Sequence, residues 1–255
     1  MRRILFLGQK ILGEKCFHYL KSGQFRNLKV VAVSSNKDTA KWWGTNQIYL
    51  DHQDLVFINN SKRNDKIIQE CIEKNKIDTI ISVQHPWILR KETLEKVKYN
   101  AYNLHCAKLP EYKGNKICSH VILNNEKYHY STIHMMSKKV DMGDIIFEEK
   151  YKIHPSETAE TLYQKGNEMS FKLFKKLLNY LDNGIDLPRK KIKNKGTFFS
   201  INSLKDLKKI NDTSDFDEVD RKSRAFLFNG FEPSYFILNK KKFFVIPDSK
   251  NLNYE

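Results

Sequence analysis

Short, continuous apolar runs alternate with stretches of helical period along the first part of the chain. Arg3–Leu7 (RILFL), Leu28–Ser35, Leu55–Asn59 and Ile77–Val83 read as buried strands, because a strand covered on both faces carries apolar residues at consecutive positions. Gly13–Leu20 and Asp65–Asn75 instead repeat apolar residues at helical spacing. This alternation predicts an α/β fold: a Rossmann-like, mostly parallel sheet with helices on both faces.

Further along, a strand over Ala101–His105 leads into a loop with Pro110 and Gly114 and then a helix over Ser119–Asn125. Two strands follow, Tyr130–Met136 and Asp144–Tyr151, and then a long helix from Thr158 to Leu181. The character changes after Asp182. A polar connection precedes an expected short helix at Ser203–Ile210, an acidic loop at Asn211–Asp220, and a hairpin of SYFIL and KFFVI joined at Asn239–Lys241. The pattern divides the chain into a domain over 1–181 and a small extension over 182–255 that ends in the hairpin. No internal repeat is visible.

In parallel sheets ligands sit at the carboxyl ends of the strands, which directs attention to the loops after Leu7, Val83 and Leu104. The first of these, LGQKILGEK, has Gly8 and Gly13 but no GxGxxG, so a dehydrogenase-type dinucleotide turn is not expected.

Composition narrows the picture. Lysine supplies most of the net charge of +15, whereas bidentate recognition of phosphates and bases favours arginine. We read a solvated lysine surface whose field helps to collect an anionic substrate, and expect no nucleic-acid partner. No apolar run approaches the ~20 residues that cross a bilayer, and the N-terminus runs directly into a strand, so a cytoplasmic protein without a membrane partner is expected. The four cysteines show neither CxxC nor zinc spacing, and neither a disulfide framework nor a metal is expected.

Asn103 and His105 lie two apart on a strand and project to the same side at its end, and Asp141 sits in a VDMGD turn. Taken singly, such a histidine is more often structural and such an aspartate more often an Asx-turn. Order and spacing change the balance. The pattern NxHxxxLPxYxG (Asn103, His105, Leu109, Pro110, Tyr112, Gly114) followed by VDxG (Val140, Asp141, Gly143) resembles the signature of the 10-formyltetrahydrofolate-dependent formyltransferases. Cys106 stands where that family often has serine, and Asp144 where it commonly has proline; neither is a triad position.

The resemblance implies 10-formyltetrahydrofolate as co-substrate, no metal, and Asn103, His105 and Asp141 as the catalytic triad. The chemistry is coherent without the family name. An amine attacking a formyl carbonyl builds an oxyanion that an amide donor such as Asn103 stabilises, and an imidazole such as His105 can relay the proton. Asp141 would orient that imidazole. The loop Gln84, His85, Pro86, Trp87 and Ile88 occupies the position where family members hold the pterin through backbone groups.

Three branches of the family separate here. The first loop lacks the Ser/Gly-rich phosphate loop of phosphoribosylglycinamide formyltransferases, and the length after Asp141 is expected to be too short for the full tRNA-binding barrel of methionyl-tRNA formyltransferases. The tail, Arg224-Ala225-Phe226 through Phe231-Glu232-Pro233-Ser234-Tyr235-Phe236, resembles the bacterial dTDP-amino-dideoxyhexose N-formyltransferases, whose C-terminal hairpin contributes to dimerisation. This resemblance implies a dTDP-linked amino sugar as acceptor, carbon 3 favoured over carbon 4, a role in surface-polysaccharide synthesis, and a homodimer. Lys10, Tyr112, Phe231 and Tyr235 are the residues expected on the acceptor side. A shortened tRNA enzyme and a non-catalytic nucleotide-sugar-binding module are the competing readings, and the intact triad speaks against the second.

Overall fold

The computed structural model describes residues 1–35, 48, 54–59 and 65–248. Its centre is a seven-stranded sheet of order β3-β2-β1-β4-β5-β7-β8. The strands are β1 (Arg2–Gly8), β2 (Leu28–Ser35), β3 (Val56–Asn59), β4 (Thr79–Val83), β5 (Ala101–His105), β7 (Tyr128–Met135) and β8 (Ile145–Lys152). From β3 to β5 every pairing is parallel, and β7 then runs antiparallel to β5. The remaining strands are β6 (Tyr112–Gly114), which pairs with β9 (Thr197–Phe199), and the hairpin β10 (Ser234–Leu238) and β11 (Lys241–Val245). The mostly parallel α/β sheet and the C-terminal hairpin are as the sequence indicates.

Alternation along β1 shows why its apolar run is unbroken. Leu5 and Leu7 enter a core with Ile68 and Ile72 of α2 (Asp65–Lys74) and Leu94 of α3 (Lys91–Lys96). Phe6, next to them in sequence, packs its ring against Phe17 of α1 (Lys10–Lys21) and Phe174 of α5 (Ala159–Asp182). All three rings are fully buried, so truncating Phe17 to alanine should cost about 3–5 kcal/mol. Among the described residues no helix is long and apolar enough to cross a membrane.

Contacts divide the chain into two compact units built from interleaved segments. The first holds Met1–His105, Ser131–Glu149 and Met169–Lys195; the second holds Cys106–Tyr130, Lys150–Glu168 and Gly196–Glu255. The second unit contains α4 (Ile117–Leu123) and α6 (Phe216–Ala225). In the β6–β9 pair, Gly114 has φ +94°, and a Cβ there would lie 2.2 Å from the Phe199 carbonyl oxygen, so only glycine lets the two strands approach.

Two expectations for the extension are corrected. Ser203–Ile210 forms turns instead of a helix, because its backbone is drawn into pairing: Tyr235 donates to the Lys208 carbonyl at 3.1 Å and Ile210 donates to the Tyr235 carbonyl at 2.7 Å. The acidic stretch expected as a loop instead opens α6. Asp215 caps it by accepting from the Glu218 N–H at 3.0 Å, and Glu218 returns a carboxylate to the Asp212 N–H at 3.2 Å. Acidic residues in the first turn and Lys222 and Arg224 in the last suit the helix dipole. The hairpin turns on Asn239 and Lys240, both with positive φ, as a two-residue loop of this hand requires.

Candidate active site

The parallel neighbours β1, β4 and β5 end side by side, with Gly8 opposite Val83 and Ser82 opposite Asn103. The loops that leave them therefore start in one row, and Gln9 donates its backbone N–H to the Val83 carbonyl at 3.2 Å. Lys10 follows with φ +62° at the head of α1, and Gln84 opens the loop after β4 with φ +57°. His105 is the last residue of β5.

Asn103, His105 and Asp141 come together within the first unit. Asp141 has φ +51°, a left-handed conformation that aspartate tolerates better than most residues, and this turn brings its carboxylate back to the sheet. Oδ2 of Asp141 lies 4.0 Å from Nδ1 of His105, leaving Nε2 as the ring nitrogen away from the carboxylate. Both side chains keep a small solvent-accessible fraction, 11% for His105 and 9% for Asp141.

His134, absent from the sequence reading, completes the arrangement. It stands directly opposite Asn103 in the antiparallel β5–β7 pair, where facing side chains meet. Its Nδ1–H donates to the Met135 carbonyl at 2.8 Å, so in the neutral ring Nε2 accepts from the Asn103 amide Nδ2 at 3.1 Å. The same Nε2 lies 3.5 Å from Oδ1 of Asp141. The carboxylate thus sits between two imidazoles whose rings are 6.4 Å apart and nearly perpendicular. The available signal was the histidine in the strand returning just before VDxG, which becomes informative only once the register is known.

Gly143 protects this geometry. A Cβ on it would fall 1.8 Å from the Met135 carbonyl oxygen, the same oxygen that fixes the His134 tautomer. The glycine of the VDxG motif is therefore required by close packing against the backbone carbonyl that holds the His134 ring.

The loop after β4 displays Trp87 and Ile88 to solvent, 39% and 57% exposed, beside an exposed Pro86, while Leu89 is buried as an anchor. Trp87 and Ile88 thus give this loop an exposed apolar surface. His85 is half-buried, and burial pulls its pKa down to about 4 against the opposing pull of Asp65, so it is neutral at physiological pH.

Tyr112, Phe231 and Tyr235 belong to the second unit. Tyr112 shows a packing role there: its ring stacks on Phe199, its hydroxyl donates to Glu126 at 2.7 Å and accepts from Asn124 at 3.1 Å, and burial leads the rise of its pKa to about 12. Phe231 is exposed, with the Lys116 ammonium 4.0 Å from its ring centre. Tyr235 lies half-buried on β10 with Lys242 over its ring at 4.0 Å.

The methionyl-tRNA formyltransferase of Rickettsia felis is 28% identical over 220 residues, 84% of this chain and 71% of the relative. An N-formyltransferase structure from Helicobacter canadensis, in complex with folinic acid and dTDP-3-aminofucose, superposes with a TM-score of 0.75 at 24% identity, covering 95% of this chain and 86% of that one. A 4-N formyltransferase from Francisella tularensis gives a TM-score of 0.78 at 21% identity over 96% of both chains. The family model described as formyl transferase matches residues 2–178, a span that holds Asn103, His105, His134 and Asp141, and the chain belongs to that family.

Proposed function

We propose that this protein moves the formyl group of 10-formyltetrahydrofolate to the amino group of a dTDP-linked amino-dideoxyhexose, with the amine at carbon 3 favoured over carbon 4. The observation that carries the reaction type is the Asn103–His134–Asp141–His105 constellation at the strand ends. The co-substrate supplies an activated formyl group, held on the Gln84–Ile88 loop. Asn103 spends one amide hydrogen on His134, which fixes the plane of the amide and aims the other at the oxygen that gains negative charge. His105 takes the proton released by the attacking amine and passes it to N10 of the folate as the bond from that nitrogen to the formyl carbon breaks and tetrahydrofolate leaves, and Asp141 holds the ring on its Nδ1 side.

The fold likeness to the Helicobacter canadensis N-formyltransferase, solved with dTDP-3-aminofucose, over 95% of this chain and 86% of that one supports the dTDP-amino-sugar acceptor. On this reading Lys10, Phe231 and Tyr235 contribute to acceptor binding, Phe231 by stacking on the base. The hairpin supports a homodimer: Phe236 and Phe243 stack across it, while Ile237, Leu238 and Phe244 stay exposed, and a two-stranded hairpin needs further cover to be stable. Sedimentation should give a dimer at micromolar concentration; a monomer would remove the hairpin from that role.

A second reading, formylation of methionyl-tRNA, is favoured by the Rickettsia relative. A screen with 10-formyltetrahydrofolate separates the two. We expect product on dTDP-3-amino-3,6-dideoxyglucose, less on the 4-amino isomer and none on methionyl-tRNA, with a shallow salt response, since neutralising many tRNA phosphates would make activity fall steeply with salt. Turnover of methionyl-tRNA alone would reverse the assignment.

A further inference from the structure

Asp65 is a carboxylate at the head of α2, only 8% exposed, where burial of a charge is costly unless its oxygens are well bonded. Its bonds lead to one place. Oδ1 accepts from the Arg90 backbone N–H at 2.8 Å and from the Thr93 hydroxyl at 3.3 Å, and Oδ2 lies 3.7 Å from the Arg90 Nε. Thr93, fully buried, in turn accepts from the Gln69 amide at 3.0 Å, so two positions of α2 grip the start of α3. Arg90 is the N-cap of α3 and offers that helix no side-chain cap of its own.

What this grip controls lies immediately upstream. The Gln84–Leu89 loop leaves β4 through a left-handed Gln84, is anchored by buried Leu89, and ends on Arg90. Between these two anchored ends, Trp87 and Ile88 lie exposed to solvent. Asp65 also acts electrostatically on His85, opposing the fall in its pKa that burial causes.

We propose that Asp65 is a positioning residue that preorganises the Gln84–Leu89 loop and thereby sets affinity for the folate co-substrate without touching the reacting atoms. The inference rests on the assignment of that loop to the folate. A loop already held in its binding conformation avoids the ordering cost of association. Losing the pin therefore weakens binding and leaves the chemical step intact.

The test is calorimetric titration of the full chain with 5-formyltetrahydrofolate, alongside steady-state kinetics with 10-formyltetrahydrofolate and thermal unfolding. Asp65→Ala should weaken binding roughly tenfold and raise KM in step, with kcat at saturation within about twofold. Asp65→Asn, which keeps an oxygen for the Arg90 N–H, should recover most of the affinity. Should the alanine variant fail to fold, Thr93→Val, which removes one hydroxyl at constant shape, should still weaken binding about threefold. Ile88→Ala tests the loop assignment by itself. If Ile88→Ala weakens binding while folded Asp65→Ala, or Thr93→Val in its place, binds like wild type, the pin is overturned and the loop assignment stands. If Ile88→Ala also binds like wild type, the loop assignment has failed.

Discussion

Each of the two units buries histidine among polar partners, and the two arrangements differ in what the histidine is given to do. At the strand ends of the first unit, His105 and His134 flank a single carboxylate, Asn103 bonds His134, and His105 and Asp141 keep a small solvent-accessible fraction. In the second unit, His120 is 5% exposed, packed 4.0 Å from the Phe199 ring centre, with one ring nitrogen 2.7 Å from the Ser203 hydroxyl. Burial drives its pKa down to about 4. Tyr112 beside the same phenylalanine is closed in a similar way. A partner carboxylate and residual access separate the candidate catalytic histidine from the packed one.

The sharpest way to break this comparison is at His105. His105→Ala should lower turnover by ~10²–10⁴-fold with the thermal transition unchanged, because it removes the group that moves the proton and little packing. Near wild-type turnover in the purified variant would place His105 with His120 as a structural ring. Asn103→Ala comes next, with an expected loss of ~10²–10³-fold in turnover and little change in folate affinity. A defect confined to folate affinity would assign Asn103 to co-substrate positioning.

His134 and Gly143 sharpen the comparison by acting through their neighbours. His134→Phe keeps a ring between the strands but deletes both nitrogens, leaving the Asn103 amide and the Met135 carbonyl without it. We expect turnover to fall by about 10–10²-fold through misplacement of Asn103, with folate binding retained. Gly143→Ala forces a methyl against the Met135 carbonyl and should cost about 1–3 kcal/mol in unfolding free energy together with a partial loss of turnover. Denaturant titration that leaves stability intact would show that the turn has room the structure does not give it.

How much of this was legible varies with the range of the interaction concerned. The parallel strands were readable because burial on both faces leaves an unbroken apolar signature, and β2 and β5 coincide with the sequence-based bounds. Asn103 and His105 could be set side by side because they lie two apart on one strand, whereas Asp141, far along the sequence, was joined to them through the family resemblance. His134 was not, since its place beside Asn103 depends on β7 running antiparallel in one particular register. Helix α6 was missed because aspartate is a poor interior helix former, and the D-x-x-E capping pattern at Asp215–Glu218 was not read as the start of a helix. Ser203–Ile210 failed for the opposite reason: its helical spacing was overridden by strand-like bonds to Tyr235.

The smallest expected effect tests the structural side of the comparison, at His120. Its pKa in the fold lies near 4, below the ordinary value of 6.5, so on acidification the unfolded chain binds a proton at this position before the native protein does. Stability must therefore fall as the pH drops from about 6.5 to about 4, and be insensitive to this group above that window. His120→Gln keeps an amide within reach of Ser203 and does not titrate. The difference in melting temperature between about pH 7 and about pH 5 should be smaller in this variant than in wild type, with turnover near neutrality unchanged. His85, also depressed to about 4, retains its own acid sensitivity in both proteins and cancels from the comparison. An undiminished pH dependence would mean that His120 is already protonated in the fold. A large loss of turnover in the variant would move His120 from the packing of its unit into the chemistry, and with it the distinction between the two histidine environments.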